Sequence, residues 1–230
     1  EPLSHYAIDP ATTEPNTGAA FKESLRQTFF HWGFHVWAMY GVVGLSFAFF
    51  QFRKGEPGLI SSTLKPIFGK RMEGPWGILV DVLAVFATAF GVATSLGLGA
   101  IQINAGLNYL FGFKIGITSQ IIIIAIVTVL FVASAWSGLS KGIKYLSNTN
   151  LILALALLGF VIIMGPTLLI LDMFTDSFGG YLGNIVQMSF RTSPLNGHNR
   201  EWLDNWTIFY WAWWISWAPF VSMFIARVSK

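Results

Sequence analysis

The chain contains no cysteine, which excludes disulfides, thiolate metal centres and cysteine redox chemistry but says nothing of the compartment. Charge is nearly as scarce, at 11% of 230 residues, where an ordinary soluble domain carries roughly a quarter. With 54% hydrophobic residues and a mean hydropathy of +0.59, the composition is that of a membrane protein. No nucleophile–base constellation, paired carboxylate, Walker motif or nucleic-acid module can be read, so no residue is singled out as catalytic. The first residue is Glu1 and the last, Lys230, directly follows an apolar run. The chain therefore reads as an internal piece of something longer, with no signal peptide to seek.

What the sequence does have is long apolar runs. A bilayer core takes about 20 such residues per helix, and five runs qualify, at 28–50, 76–102, 116–136, 149–172 and 205–226. The expected fold is an all-α integral membrane protein, with residues 1–230 forming part of one membrane domain. The connection 51–75 holds Arg53, Lys54, Lys65, Lys70 and Arg71, that at 137–148 holds Lys141 and Lys144, and Arg227 and Lys230 close the chain. If every run crosses, these fall on one side, the cytoplasmic one by the positive-inside rule. Residues 1–27, the connection near 103–115 and the loop 173–204 are then outside. In that loop "GGYLGNIVQMSF" reads as a short amphipathic surface helix, and Pro194, Asn196 and Gly197 as a break. Two acids lie near run ends, Asp81 and Asp172, each either a headgroup-level residue or part of an ion path.

The chain is also rich in tryptophan, and the stretch "FYWAWWISWAPF" at 209–220 places Trp211, Trp213, Trp214 and Trp217 within three helical turns. At helical spacing Trp206, Tyr210, Trp213, Trp217, Phe220 and Phe224 form a stripe, with Trp211 and Trp214 on its flank. Interfacial anchoring accounts for Trp202 and Trp206. Indoles at mid-depth need partners for their N–H groups, and a cavity lined by them is the functional reading; lipid or core packing is the alternative. A second cluster, "HWGFHVWAMY", supplies Trp32, Trp37 and Tyr40 from the first run, although positions 32 and 37 diverge on one continuous helix. Two aromatic clusters with no intramembrane carboxylate between them suit a cation held by ring faces. A quaternary ammonium group fits, at roughly 0.5–2 kcal/mol per ring.

These stretches resemble the betaine/choline/carnitine transporter family. "FYWAWWISWAPFVSMFIARVS" is similar to its eighth membrane helix, "HWGFHVWAMY" to its fourth, and "DVLAVFATAFGVATSLGLGA" to its fifth. The resemblance implies a twelve-helix secondary transporter of the LeuT-like kind, with two inverted five-helix repeats, of which this chain would supply helices four to eight. It implies a betaine box at Trp32, Trp37, Tyr40 and Trp214, with Trp213 and Trp217 along the pathway. Thr88 and Phe220 match positions of one sodium site, but the threonine that should follow Thr88 by one turn is matched by Val92, which offers no side-chain oxygen.

The expectation is therefore ion-coupled uptake of glycine betaine, with choline or carnitine transport or exchange as the alternative. The coupling ion would be Na+, or H+ in its place, without any other cofactor. Partners would be the trimethylammonium substrate, the lipid bilayer and, by resemblance, two further copies in a homotrimer; the location would be a bacterial plasma membrane. A membrane enzyme or a cation channel would need converging polar residues, carbonyl loops or acidic rings, none of which is legible.

Three smaller signals complete the reading. His31 and His35 are spaced i, i+4, but His5 and His198 lie in outer polar segments, so no metal site is expected and interfacial histidines are. Gly91, Gly97 and Gly99 serve either close packing or a helix break. Pro166 should kink the fourth run.

Overall fold

The computed structural model describes residues 1–136 and 142–228. Lys141 and Lys230, which entered the charge argument, lie outside the described residues. Every regular element among these residues is helical. A π-helical turn at Ser4–Ile8 precedes α1 (Gly18–Trp32), α2 (Phe34–Ala48), α3 (Ile60–Phe68), α4 (Pro75–Phe111), α5 (Ile117–Trp136) and α6 (Gly142–Met164). There follow α7 (Thr167–Gly183), α8 (Ile185–Ser189), α9 (Gly197–Trp202), a π-helical turn at Leu203–Ile208 and α10 (Phe209–Val228). Among the described residues, five stretches are long and apolar enough to cross a membrane: Gly18–Arg53, Pro75–Phe111, Ile117–Ser134, Lys144–Met164 and Gly197–Arg227.

The first of these stretches is not one helix. A Cβ on Gly33 would lie 2.4 Å from the Phe29 carbonyl oxygen, so only glycine fits where α1 stops and α2 begins. The Gly33 N–H donates to that same oxygen at 2.8 Å, closing the last turn of α1. The run at 149–172 is likewise divided. In place of the kink expected at Pro166, α6 ends at Met164 and α7 starts at Thr167, because proline cannot supply the N–H that continuity needs. Asp172 thus lies beyond the break, exposed on α7.

The chain forms two compact units, Glu1–Val92 with Met173–Lys230, and Ala93–Asp172. In the first, α10 buries Tyr210, Trp214, Ala218, Ser222 and Ala226, positions four apart on one face. Opposite them α2 buries Val36, Tyr40 and Phe47. Small residues let the backbones approach: a Cβ on Gly44 would be 3.6 Å from the Ser222 carbonyl, and the Ser222 hydroxyl donates to the Tyr40 carbonyl at 3.0 Å. The loop expected at 173–204 is more helical than the sequence suggested, since α7 runs on to Gly183 and packs on α1. Phe29 has ring centroids of Phe174 and Phe178 at 5.6 and 5.4 Å, and Phe30, Tyr181 and Met188 form a small core.

In the second unit, Asn104 closes the turn between α4 and α5. Its amide donates to the Lys114 carbonyl and its oxygen accepts from Gly116 N–H, both at 3.2 Å. Gly112 takes φ +71° there, a value glycine adopts without a Cβ penalty. The spans Ile117–Ser134 and Lys144–Met164 bury no residue within the unit. Their apolar side chains are left for lipid or other helices.

Candidate functional site

The site is built where α1 ends against α10. The break at Gly33 interrupts the helical hydrogen-bond ladder, and the His31 carbonyl accepts the Trp214 indole N–H at 2.8 Å. This overturns a premise of the sequence argument, because the N–H of Trp214 is satisfied by backbone instead of facing a cavity. Trp214 also lies at the centre of the buried face of α10, not on the flank of a stripe. Its ring stacks on Trp213 at 4.6 Å and meets Trp32 edge-on at 4.8 Å.

Tyr40 is buried beside it, 6.5 Å from Trp214 and 6.0 Å from Trp37. Trp37 is 61% exposed and Trp32 47% exposed, so both present ring surface to the outside of this unit. The divergence of positions 32 and 37 disappears as an objection, since they belong to different helices. Trp32, Trp213, Trp214 and Tyr40 are thus brought into one chain of ring contacts that Trp37 extends. Trp217 packs on the edge of the same core and lies toward α4, 5.8 Å from Phe220.

Thr88 and Phe220 line a cavity of about 400 Å³ together with Phe47, Leu59, Asp81 and Pro219. The Thr88 hydroxyl donates to the Ala84 carbonyl at 2.9 Å and is 3.3 Å from the Ser216 carbonyl, which brings oxygens of α4 and α10 together. Asp81 accepts the Ser61 N–H and hydroxyl at 2.9 and 2.7 Å, which binds α4 to the first turn of α3. Val92 is 37% exposed and adds no oxygen.

Sequence reasoning missed a polar cluster behind the rings. It placed His5 in an outer segment remote from the other histidines, whereas His5 and His31 are both fully buried and share the carboxylate of Glu1. Glu1 Oε1 is 3.1 Å from His5 Nε2 and 2.6 Å from His31 Nδ1, and Glu1 Oε2 accepts the Trp32 indole N–H. His31 Nε2 continues the network to the Thr207 hydroxyl at 3.1 Å, and the imidazole stacks on Tyr210 at 4.5 Å. Burial pushes the Glu1 carboxyl upward, but the hydrogen bonds from His31, His5 and Trp32 outweigh it and hold the group at about 2. It is therefore ionised at neutral pH.

The ligating atoms of Glu1, His5 and His31 lie within 4.8 Å of one another, which is metal-like proximity. They already bond each other, so a metal ion would have to displace those bonds. Glu1 precedes the first apolar run by some 30 residues of sequence, and only its proximity to His5 in "EPLSH" hinted at a pairing. His35 has separate partners, Tyr181 Oη at 2.9 Å and Ser189 Oγ at 2.7 Å. Arg191 lies over the Trp202 ring at 5.5 Å, and burial lowers its pKa.

Comparison with known proteins bears on the family. The family model described as BCCT, betaine/carnitine/choline family transporter, matches residues 1–230. A glycine betaine transporter of Bacillus subtilis (strain 168) is 62% identical over 230 residues, which is 100% of this chain and 45% of that protein. A probable glycine betaine transporter of Desulfitobacterium hafniense (strain Y51) is 46% identical over the same 100% of this chain and 45% of its own length. A glycine betaine/proline/choline transporter of Vibrio parahaemolyticus is 46% identical over 94% of this chain and 38% of its own. The chain spans about half the length, or less, of the curated relatives it matches. Five apolar stretches among the described residues and a family model covering every residue mark a multi-pass protein of the plasma membrane, and the chain belongs to the betaine/carnitine/choline transporter family.

Proposed function

We propose that this chain is the substrate-binding part of a secondary carrier that takes up glycine betaine or a related trimethylammonium solute. The observation that carries the reading is the run of ring contacts from Trp213 through Trp214 to Trp32, with Tyr40 and Trp37 alongside. A trimethylammonium group cannot donate hydrogen bonds, and ring faces attract it at roughly 0.5–2 kcal/mol each. Several rings then reach the micromolar to millimolar affinity that lets a carrier release its cargo. The names of the Bacillus and Desulfitobacterium relatives support glycine betaine as the substrate.

In this reading the chain supplies helices four to eight of a twelve-helix, inverted-repeat carrier of the LeuT-like kind. The helix bearing Trp213, Trp214 and Trp217 rocks against the one bearing Trp32, Trp37 and Tyr40. Na+ binds near Thr88 and Phe220, where the Thr88 hydroxyl and Ser216 carbonyl approach each other; with Val92 in place of a second hydroxyl, the remaining ligands are backbone carbonyls or water. Ion binding drives uptake only by favouring the outward, substrate-competent state over the inward one. The whole carrier assembles as a homotrimer.

The test is uptake of labelled glycine betaine and choline by cells carrying the full-length parent gene, with sodium present or replaced by potassium. Sodium-dependent betaine uptake is the expected result. Sodium-independent uptake points to proton coupling or exchange. The Vibrio relative's name includes choline, so choline uptake without betaine uptake would move the substrate assignment, and movement of neither would sink it.

A further inference from the structure

The ring cluster has a charge behind it. The sequence reading had the cation recognised by ring faces alone, but the Glu1 carboxylate accepts the indole N–H of Trp32, whose ring meets Trp214 at 4.8 Å. The Glu1 side chain is 6% exposed, and its other oxygen is held by two fully buried histidines, so water does little to screen it. A carboxylate on an indole N–H draws the proton toward itself and leaves more electron density on the ring, as hydrogen bonds in series polarise one another. The face of that ring then attracts a cation more strongly.

We propose that Glu1 is the counter-charge of the aromatic box, a positioning residue that acts on the bound trimethylammonium group through the Trp32 indole. Three bonds fix it for this role. His31 Nδ1 and His5 Nε2 hold Oε1, and Trp32 Nε1 takes Oε2, so the carboxylate cannot rotate away without breaking one of them. His31 is in turn held by Thr207 Oγ1, and its backbone carbonyl holds Trp214. One cluster therefore orients both indoles. Because the carboxyl is kept well below the usual range, the charge persists across the physiological pH span.

This inference rests on the reading that the box binds a trimethylammonium solute, and the experiment separates the two. The probes are glycine betaine and its uncharged-carbon isostere, 3,3-dimethylbutyrate, titrated against the purified full-length transporter by tryptophan fluorescence. In Glu1→Gln the affinity for glycine betaine should fall about 10-fold, as expected for one strengthened cation–π contact, while affinity for the isostere stays the same. In a Trp32→Phe background, which lacks the N–H, the Glu1→Gln change should no longer alter the ratio of the two. Equal loss of both probes would make Glu1 a structural brace and overturn the proposal. Unchanged betaine affinity in Glu1→Gln would overturn it while leaving the carrier reading intact. Failure of the wild-type protein to bind betaine would remove both. Should Glu1→Gln not reach the membrane, Glu1→Ala carries the same test: its betaine-to-isostere ratio must fall with Trp32 in place, and an unchanged ratio refutes the inference.

Discussion

The two units of the chain use their apolar residues differently. In Glu1–Val92 with Met173–Lys230, the buried set includes His5, Glu23, Gln27, His31, Thr207 and Ser222, and the packing between α2 and α10 is pinned by polar bonds. In Ala93–Asp172, Asn104 is the buried polar side chain among the described residues, and the spans of α5 and α6 bury nothing within the unit. The difference follows from solvent. Lipid is as apolar as leucine, so apolar side chains gain little from packing on one another in a membrane. Close packing, hydrogen bonds and aromatic geometry hold helices together there. The unit that has them folds upon itself; the other offers leucine and isoleucine surfaces to lipid or to neighbouring helices.

The hardest test of that contrast is truncation on each side of it. Trp214→Ala removes a ring stacked on Trp213, its edge contact with Trp32 and the donor to the His31 carbonyl. Large-to-small core changes of this kind cost about 3–5 kcal/mol, and betaine uptake should be abolished. Trp214→Phe keeps a ring but leaves the carbonyl unpaired, at about 1–3 kcal/mol. Leu155→Ala, at a residue 58% exposed in the second unit, should change thermal stability by no more than about 0.5 kcal/mol. Melting of the purified full-length variants in detergent reads all three. A loss at Leu155 as large as that at Trp214 would erase the distinction between the units.

Glycines sharpen the contrast at smaller scale. A Cβ on Gly91 would lie 3.0 Å from Trp217 Cδ1 and 3.3 Å from Ser216 Cβ, whereas one on Gly97 or Gly99 meets nothing within 4 Å. Gly91→Ala should therefore cost about 1–3 kcal/mol by overpacking and lower uptake by displacing Trp217. Gly97→Ala should be neutral or stabilising by roughly 0.5–1 kcal/mol, because alanine favours the helix. The same melting curves decide it, and equal effects at both positions would show that Gly91 is not a close approach. Of the two sequence readings of these glycines, close packing describes Gly91.

How much of this was legible in the sequence depends on the length scale of the cause. Apolar runs announce helices because burial in lipid acts on some 20 consecutive residues, and "FYWAWWISWAPF" announces an aromatic face through its local period. The break at Gly33 was not legible: "HWGFHVW" contains no proline, and an isolated glycine is tolerated in helices. Its consequence, a His31 carbonyl available to Trp214, depends on contact between residues 183 apart in sequence. The Glu1–His5–His31 cluster was hidden for the same reason. His5 looked external because it precedes the first run, and only the fold of residues 1–17 over the end of α1 buries it. Ring positions were readable, and what holds the rings was not.

The smallest expected effect bears on that cluster and reads its charge directly. Glu1 is held at about 2, below its ordinary 4.5, so the carboxylate's contribution to stability is fully present above pH 4.5. It is lost as pH falls through the interval down to about 2, where the folded protein must also take up the proton. His5, His31, Trp32 and Tyr210 face the carboxylate, and Arg191 acts on the same cluster from beyond His31. The acid limb of a melting-temperature profile should accordingly be shallower in Glu1→Gln than in wild type between pH 4.5 and the acid limit of the assay. Above pH 5 the two profiles should run parallel, because this carboxyl no longer titrates there. Superimposable acid limbs would mean that Glu1 is not held in the ionised form by its neighbours. The polar anchoring that separates the first unit from the second would then rest on the neutral bonds of His31, Trp214 and Ser222.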